Sequence, residues 1–280
     1  MPQTINTNLV SLNAQRNLNA SQSSLATSMQ RLSSGLRVNS AKDDAAGLAI
    51  AERMNTQVRG MNAAVRNAND GISMAQTAEG SMGKVADALQ RMRELAVQSS
   101  NATNSASDKD SLDKEFGELA KEIQRVLGGT TFNGKAVLAT SAAGTQTFQV
   151  GANTTANDRI DITTTDMTTD TTITTVAGTD NAGTGRAVID NTAVGTAIDT
   201  VITNIDTALD KVNGERATLG ASQNRFDAVI SNLQVAVENQ SASRSRIMDA
   251  DFAQETANLS RAQILQQAGN TMVAQANQLP

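Results

Sequence analysis

The 280-residue chain contains no Cys, His, Trp or Tyr and five Phe, and its formal net charge is −5. These absences exclude disulfides, thiolate chemistry and the side chain that most often acts as an acid or base near neutral pH. The acidic balance argues against nucleic-acid binding, and no apolar segment approaches the roughly 20 residues of a transmembrane helix, so we expect neither nucleic acid nor membrane insertion.

Residues 4–36 are predicted to form the first helix, with an apolar stripe that runs from Ile5 and Leu9 to Leu32. The segment before Asp43 holds no acidic residue, and its outer face is rich in Asn, Gln, Ser and Ala. An ordinary amphipathic helix is one interpretation of this pattern. A neutral amide face favours the other interpretation, in which the helix contacts other chains rather than water.

The run from Ser40 to Ser99 predicts a long helix, because apolar residues recur at heptad spacing between Met54 and Ala96. Ser40 and Asp43 have the spacing of a capping box at its start. Such a helix is roughly 85–90 Å long at ~1.5 Å per residue, whereas helices of globular domains average about 11–12 residues. We interpret it as a rod that serves assembly rather than catalysis.

A shorter helix is predicted after an Asn/Ser/Thr-rich turn near residues 101–107. Ser107 and Asp110 have capping-box spacing, and the apolar face from Leu112 to Val126 is followed by the helix stop Gly128-Gly129. Since a tight turn connects the two helices, the shorter one should fold back antiparallel on the longer one.

The sequence Phe132-Asn133-Gly134-Lys135 indicates a β-hairpin turn. Short strands are predicted at 136–139 and 146–150. Residues 151–195 are rich in Thr, Asp and Gly, and they allow two interpretations: a small β appendage or a loosely ordered surface excursion.

Two further helices are predicted, from Thr196 onwards and over 247–279. Four polar residues interrupt the heptad ladders of the long helices, and we interpret them as packing-switch candidates that fix register at a cost in stability: Glu79, Arg93, Arg216 and Gln223. The predicted fold class is mainly α, a long antiparallel helical rod or coiled-coil bundle with a small β-hairpin and a short variable β/loop tip.

Long motifs at both ends of the chain closely resemble bacterial flagellin. They are INTNLVSLNAQRNL (5–18), QRLSSGLRVNSAKDDAAGLAIAERM (30–54), LQRMRELAVQSSN (89–101), FNG (132–134) and SRIMDADFAQETANLSRAQILQQAGNTMVAQANQLP (245–280). The resemblance covers roughly residues 1–150 and 196–280.

The resemblance implies three regions and a structural role. Residues 1–44 and 246–280 would form a terminal coiled-coil domain in the filament core, residues 45–150 and 196–245 a helical spoke domain, and residues 151–195 a short variable surface region. The chain would polymerise into the flagellar filament for motility. Catalysis is not expected, nor is a cofactor or a metal, because the carboxylates of Asp249, Asp251 and Glu255 alone make a poor transition-metal site.

The partners that the resemblance implies are further copies of the chain, an export chaperone, and the filament cap and hook–filament junction proteins. Secretion would take place in the unfolded state through the flagellar type III apparatus, to an extracellular location. A hook-associated junction protein is the alternative function. Flagellins usually continue with a short apolar tail after a sequence like ANQLP, and the sequence departs from this pattern by ending at Pro280.

Host innate immune receptors are the last partners that the resemblance implies. Arg91, Leu95 and Glu115 match the surface recognised by Toll-like receptor 5, with Leu95 as an apolar anchor. The alternative interpretation without a receptor is that the charged side chains of Arg91 and Glu115 are solvated or lie at subunit contacts. The stretch 30–51 resembles the epitope of a plant receptor kinase, departing from it at Ser34, Leu36, Val38 and Ala49 and keeping Gln30, Arg31, Leu32, Arg37, Asn39, Lys42, Asp43 and Asp44.

Overall fold

A computed structural model describes residues 8–139, 144–193 and 195–277. The helices are α1 Leu9–Ser34, α2 Ala45–Ser99, α3 Ala106–Gly129, α4 Thr171–Ala177, α5 Thr196–Met248 and α6 Phe252–Ala276, and the strands are β1 Thr131–Phe132, β2 Lys135–Ala136, β3 Gly144–Gln149 and β4 Arg159–Thr164. The predicted class is confirmed: the chain is mainly α, with long helices and a small antiparallel hairpin. It divides into two compact units, one within Met1–Arg59 and Ala236–Pro280 and one within Gly60–Val235.

In the first unit, α1 and α6 pack against each other as an antiparallel pair. The amide of Asn8 donates to the carbonyl of Ala276 at 2.8 Å at one end, and Arg31 contacts Glu255 at 3.1 Å at the other. Asn8 also caps α1, because its side chain accepts from two backbone N–H groups of the first turn. Gly35, in the left-handed conformation that glycine adopts without strain, ends the helix. The predicted first helix is confirmed over 9–34, and residues 4–7 lie outside the described residues.

The joint after α1 differs from the prediction. Asp44, not Ser40, caps α2, since its carboxylate accepts from the N–H of Gly47 at 2.8 Å. The carboxylate of Asp43 instead closes a turn by accepting from the N–H groups of Ser40 and Asn39. These bonds stabilise the charged form and lower the pKa of Asp43. The predicted hydrogen bonding between Ser40 and Asp43 is therefore correct, but the prediction that these residues start the long helix is wrong.

In the second unit, α2, α3 and α5 surround one apolar core. Both α3 and α5 run antiparallel to α2. The side chain of Arg91 on α2 contacts Glu115 on α3, and that of Arg93 contacts Asp206 on α5. The largest fully buried side chains are Phe116, Phe226, Met82, Leu89, Met92, Leu95, Ile123, Leu127, Leu138, Ile162, Met167 and Ile173. The antiparallel return of the short helix is confirmed, although its capping box is Ser105 with Asp108, two residues earlier than predicted.

Two small β-ribbons complete this unit. Asn133 and Gly134 take positive φ values of 50° and 76° in the turn between β1 and β2, which the Asn-Gly pair tolerates. The strand predicted at 136–139 is wrong beyond Ala136. β3 pairs antiparallel with β4 over six residues, and alternate residues of β4, Ile160 and Ile162, point into the core.

The Thr-rich segment is part of the core rather than a loose surface excursion. Met167, Ile173, Val176 and Ile189 are fully buried in it. The appendage interpretation captured β4 but missed α4, because seven residues with a mixed Thr/Ile/Val pattern give no helical periodicity. A polar segment can therefore contribute to a core through a few widely spaced apolar residues, although the polar residues around them predict a surface location.

We predict that Gly71→Ala destabilises the second unit by about 1–3 kcal/mol. A Cβ at Gly71 would lie 2.8 Å from the ring of Phe226, which is fully buried and packs edge-on against Phe148 at 5.7 Å, so the ring has no room to move. The matched control is Gly80→Ala on the same helix, where a Cβ meets nothing within 4 Å. Removing this glycine should stabilise by about 0.5–1 kcal/mol. Urea unfolding followed by circular dichroism measures both, and equal effects would contradict the argument.

Candidate assembly surface

Large apolar side chains on the terminal helices stay exposed although α1 and α6 pack against each other. Leu9, Phe252 and Ile264 are 68%, 65% and 66% exposed. Further exposed residues of these two helices are Val10, Leu12, Met29, Leu265 and Met272. A two-helix pair buries one face of each helix, and the remaining apolar surface is available for another partner.

A groove between α1 and α6 continues this apolar surface. It encloses a cavity of about 550 Å³ whose walls include Leu9 and Leu18 from one helix and Leu265 and Met272 from the other. The helices approach closely here because Gly269 faces Leu18, where a Cβ would come within 3.1 Å. The groove is thus formed by large side chains around one small residue.

The electrostatics of the pair oppose association between like copies only weakly. The two helices together carry four charged side chains, Arg16, Arg31, Glu255 and Arg261. Two of these, Arg31 and Glu255, neutralise each other within the pair. Little charge therefore remains on these helices to repel a second copy or to hold water on the surface.

Glu255 is the most buried of these charged groups and fixes the register of the pair. Burial by itself acts to raise its pKa, but hydrogen bonds from Arg31 and Ser28 outweigh this effect and hold the pKa of Glu255 below its usual value of 4.5. Its carboxylate therefore stays charged in the folded pair, with Arg31 as its partner.

The residues of the expected Toll-like receptor 5 surface lie in two different environments. Arg91 and Glu115 are exposed and joined at 2.9 Å, and Arg91 also contacts Glu94 at 2.9 Å. These bonds, that to Glu115 first, raise the pKa of Arg91. Leu95 is fully buried in the core, so it lies beneath this surface rather than on it, and its role as an apolar anchor stays a prediction. Val97 of the same helix is 50% exposed.

The stretch that resembles the plant-receptor epitope spans the end of α1, the joint and the start of α2. Arg37 donates to the carbonyl of Ile247, and its N–H bonds the carbonyl of Met248. Gln30 and Lys42 are exposed, Leu32 is half-buried, the amide of Asn39 donates to Ser34, and Arg31, Asp43 and Asp44 hold the bonds described above. Many residues of this stretch form hydrogen bonds within the folded chain. A receptor that binds the stretch as an extended peptide therefore requires these hydrogen bonds to break first.

The packing-switch candidates lie at the rim of the α2–α5 contact and not inside it. Glu79 meets Arg216 at 3.3 Å and Arg93 meets Asp206 at 2.6 Å, and each of these side chains is more than a third exposed. The ladder positions on either side, Ala75, Met82, Leu89 and Ala96, are buried, and next to the two polar residues Ala78 and Met92 are buried as well.

Gln223 differs from the other candidates. Its Nε2 is buried and, within the described part of the chain, has no hydrogen-bond partner, and the same holds for Nε of Arg216. A role of these four residues in filament curvature stays a prediction. The sequence interpretation missed Asp206, which only the antiparallel register of α5 brings to Arg93.

Neither a metal-binding cluster nor a membrane span is found among the described residues. Residues 8–139, 144–193 and 195–277 contain no group of three or more Asp or Glu that could hold a metal ion. Among the helices that the structure describes, none combines the length and apolar character needed to cross a membrane.

Comparison with known proteins identifies the family. The model of the bacterial flagellin N-terminal helical region matches residues 5–143, and that of the bacterial flagellin C-terminal helical region matches residues 202–280. A flagellin of Halalkalibacterium halodurans is 45% identical over 99% of this chain and 96% of its own length, and flagellin D of Vibrio cholerae is 36% identical over 99% and 97%. The crystal structure of Bacillus cereus flagellin, 34% identical, covers 60% of this chain and 88% of its own with a TM-score of 0.48.

The helical fold, with its unpartnered apolar faces, is that of a self-assembling structural protein. Both terminal regions match one family, and the relatives match over almost the whole chain. The chain belongs to the bacterial flagellin family. It is a structural subunit of a filament and not an enzyme, and the alternative of a hook-associated junction protein is not favoured.

We predict that Glu255→Gln lowers the thermal stability of the assembled protein at pH 7 by about 1–3 kcal/mol per subunit, because it leaves Arg31 without its charged partner. The folded pKa of Glu255 is depressed, so its contribution is complete above about pH 4.5 and is lost as the pH falls through the folded pKa. The variant should lack this acid-induced loss. The control is Glu94→Gln, whose side chain is 67% exposed. Equal dissociation temperatures for the two variants at pH 7 would contradict the role of the pair.

Proposed function

We propose that this chain polymerises through the outward apolar faces of α1 and α6, which become the inner contacts of an extracellular flagellar filament. The observation that supports this most directly is the exposure of Leu9, Phe252 and Ile264 on helices that carry almost no free charge. Apolar area removed from water stabilises a contact by about 25 cal/mol per Å². A face of this kind gains free energy when another copy covers it.

The finer aspects of this function rest on the resemblance. Residues 1–44 and 246–280 are proposed as the filament-core domain, 45–150 and 196–245 as the spoke domain, and 151–195 as the variable region. The export chaperone, the filament cap and the hook–filament junction proteins are proposed partners, with secretion before assembly. An export chaperone suits the terminal helices, because their apolar residues would otherwise stay exposed before assembly.

Recognition by innate immune receptors at Arg91, Leu95 and Glu115 is a further proposal, and the accessibility of the two charged residues supports it. Arg91 and Glu115 are accessible on neighbouring helices, whereas Leu95 is enclosed in the core. A receptor that binds here replaces the ion pair between Arg91 and Glu115 by contacts of its own. Arginine suits such a contact because its planar guanidinium group donates several hydrogen bonds at once. The plant-receptor epitope is proposed for the stretch 30–51 in its released form.

The assembly proposal predicts that Ile264→Asp reduces polymerisation at least tenfold, because a contact would bury an unpaired carboxylate. The second unit should keep its stability, since Ile264 lies outside it. The matched control is Val188→Asp, an exposed apolar residue of the second unit. Light scattering and electron microscopy measure polymerisation, and circular dichroism checks folding. Polymerisation of the Ile264 variant at the wild-type rate would overturn the proposed role of the terminal helices.

The receptor proposal predicts that Arg91→Ala weakens binding of the monomer to Toll-like receptor 5 by about 2 kcal/mol, roughly 30-fold. Lys84→Ala is the control, since Lys84 is a cation of the same helix and 78% exposed. Titration of receptor ectodomain with each monomer measures the difference. Equal losses in the two variants would indicate a general charge effect rather than recognition at Arg91.

A further inference from the structure

The methionines of this chain are distributed unevenly between core and surface. Of the nine that the structure describes, six are at most 8% exposed: Met61, Met74, Met82, Met92, Met167 and Met248. Met54 is half-buried. The remaining two, Met29 and Met272, are 56% and 58% exposed, and both lie on the terminal helices.

The two exposed residues lie towards opposite ends of the α1–α6 pair. Met29 is two residues from Arg31, which contacts Glu255 near the start of α6. Met272 is near the end of α6, and it lines the apolar groove with Leu9 and Leu18. Each residue therefore reports on a different part of the surface that we propose for assembly.

Exposed thioethers react with peroxides. The sulfur attacks one oxygen of hydrogen peroxide and the O–O bond breaks. A sulfur–oxygen bond forms, the sulfur is oxidised by two electrons, and the peroxide is reduced to water. The reaction needs access to the sulfur, so Met29 and Met272 should react before the six buried methionines.

Oxidation makes the exposed side chain polar, which weakens an apolar contact at this surface. A sulfoxide is polar and accepts hydrogen bonds, whereas the thioether is an adaptable apolar group. Met272 lines a groove whose walls are mainly apolar, with Leu9, Leu18 and Leu265 beside the polar Asn13 and Asn17. A copy that covered this surface would have to desolvate a polar sulfoxide where the thioether made an apolar contact, which disfavours association.

We propose that Met29 and Met272 form a pair of oxidation sites through which peroxide blocks assembly of the free subunit. This inference rests on the proposed role of the α1 and α6 faces in polymerisation. The modification is reversible in principle, because methionine sulfoxide reductases restore the thioether. The unassembled subunit is the sensitive form, since a contact that covers the two sulfurs also shields them from peroxide.

The test oxidises the full-length monomer briefly with hydrogen peroxide, maps the added oxygen by peptide mass spectrometry and follows polymerisation by light scattering. Met29 and Met272 should gain oxygen at least tenfold faster than the six buried methionines. Oxidised wild type should polymerise at least tenfold more slowly, and treatment with sulfoxide reductases of both stereospecificities should restore the rate. A Met29→Leu, Met272→Leu double variant, treated in the same way, should keep its untreated rate, because leucine has a similar volume and no thioether.

The matched control is Met92→Leu, which removes a buried thioether and should leave the protein as sensitive as wild type. Polymerisation of oxidised wild type at the untreated rate would overturn the proposal. So would an equal loss of assembly in the treated double variant. Failure of untreated wild type to polymerise would instead overturn the proposed assembly function, and this inference with it.

Discussion

Two helices that pack only against each other cannot bury all of their apolar side chains. In the terminal pair of this chain, α1 buries Ser11 and Ser28, and α6 buries Glu255, Ala262 and Ala276, while leucines, an isoleucine and a phenylalanine stay exposed. The usual arrangement, in which large apolar residues are inside, is thus partly inverted. In a globular protein, burial of these apolar side chains would stabilise the folded monomer. Here their burial can stabilise only an association with another molecule.

The second unit has the opposite character. Its core contains Phe116 and Phe226 together with leucines, isoleucines and methionines that are fully buried, and the strands and α4 close the space between the long helices. Small residues make close approach possible at particular points, as at Gly71 beside Phe226. A unit that satisfies its own apolar surface can fold without a partner, which suits a part of the chain that must remain intact in both monomer and assembly.

Ion pairs have different roles in the two units. Arg31 and Glu255 are partly or largely buried and bind the two terminal helices in one register, whereas Arg93–Asp206 and Glu79–Arg216 lie at the exposed rim of α2 and α5. Exposed pairs contribute about 0–1 kcal/mol each. Their geometry sets the alignment of the long helices more than it sets their stability.

The sequence by itself determined the five longer helices, the hairpin turn and the family, because heptad spacing, Asn-Gly and long terminal motifs are local signals. It did not determine which side chains are accessible: Leu95, expected from the resemblance as a receptor anchor beside Arg91, is fully buried in the core. Nor did it reveal Asp206 as the partner of Arg93, or the burial of Ile173 and Ile189 in a Thr-rich segment. These outcomes depend on the antiparallel register of distant helices, because a drift of about 20° per heptad gradually shifts side chains relative to the buried stripe. Only the tertiary structure decides such contacts, since their partners are far apart in the chain, as are Arg93 and Asp206, which 113 residues separate.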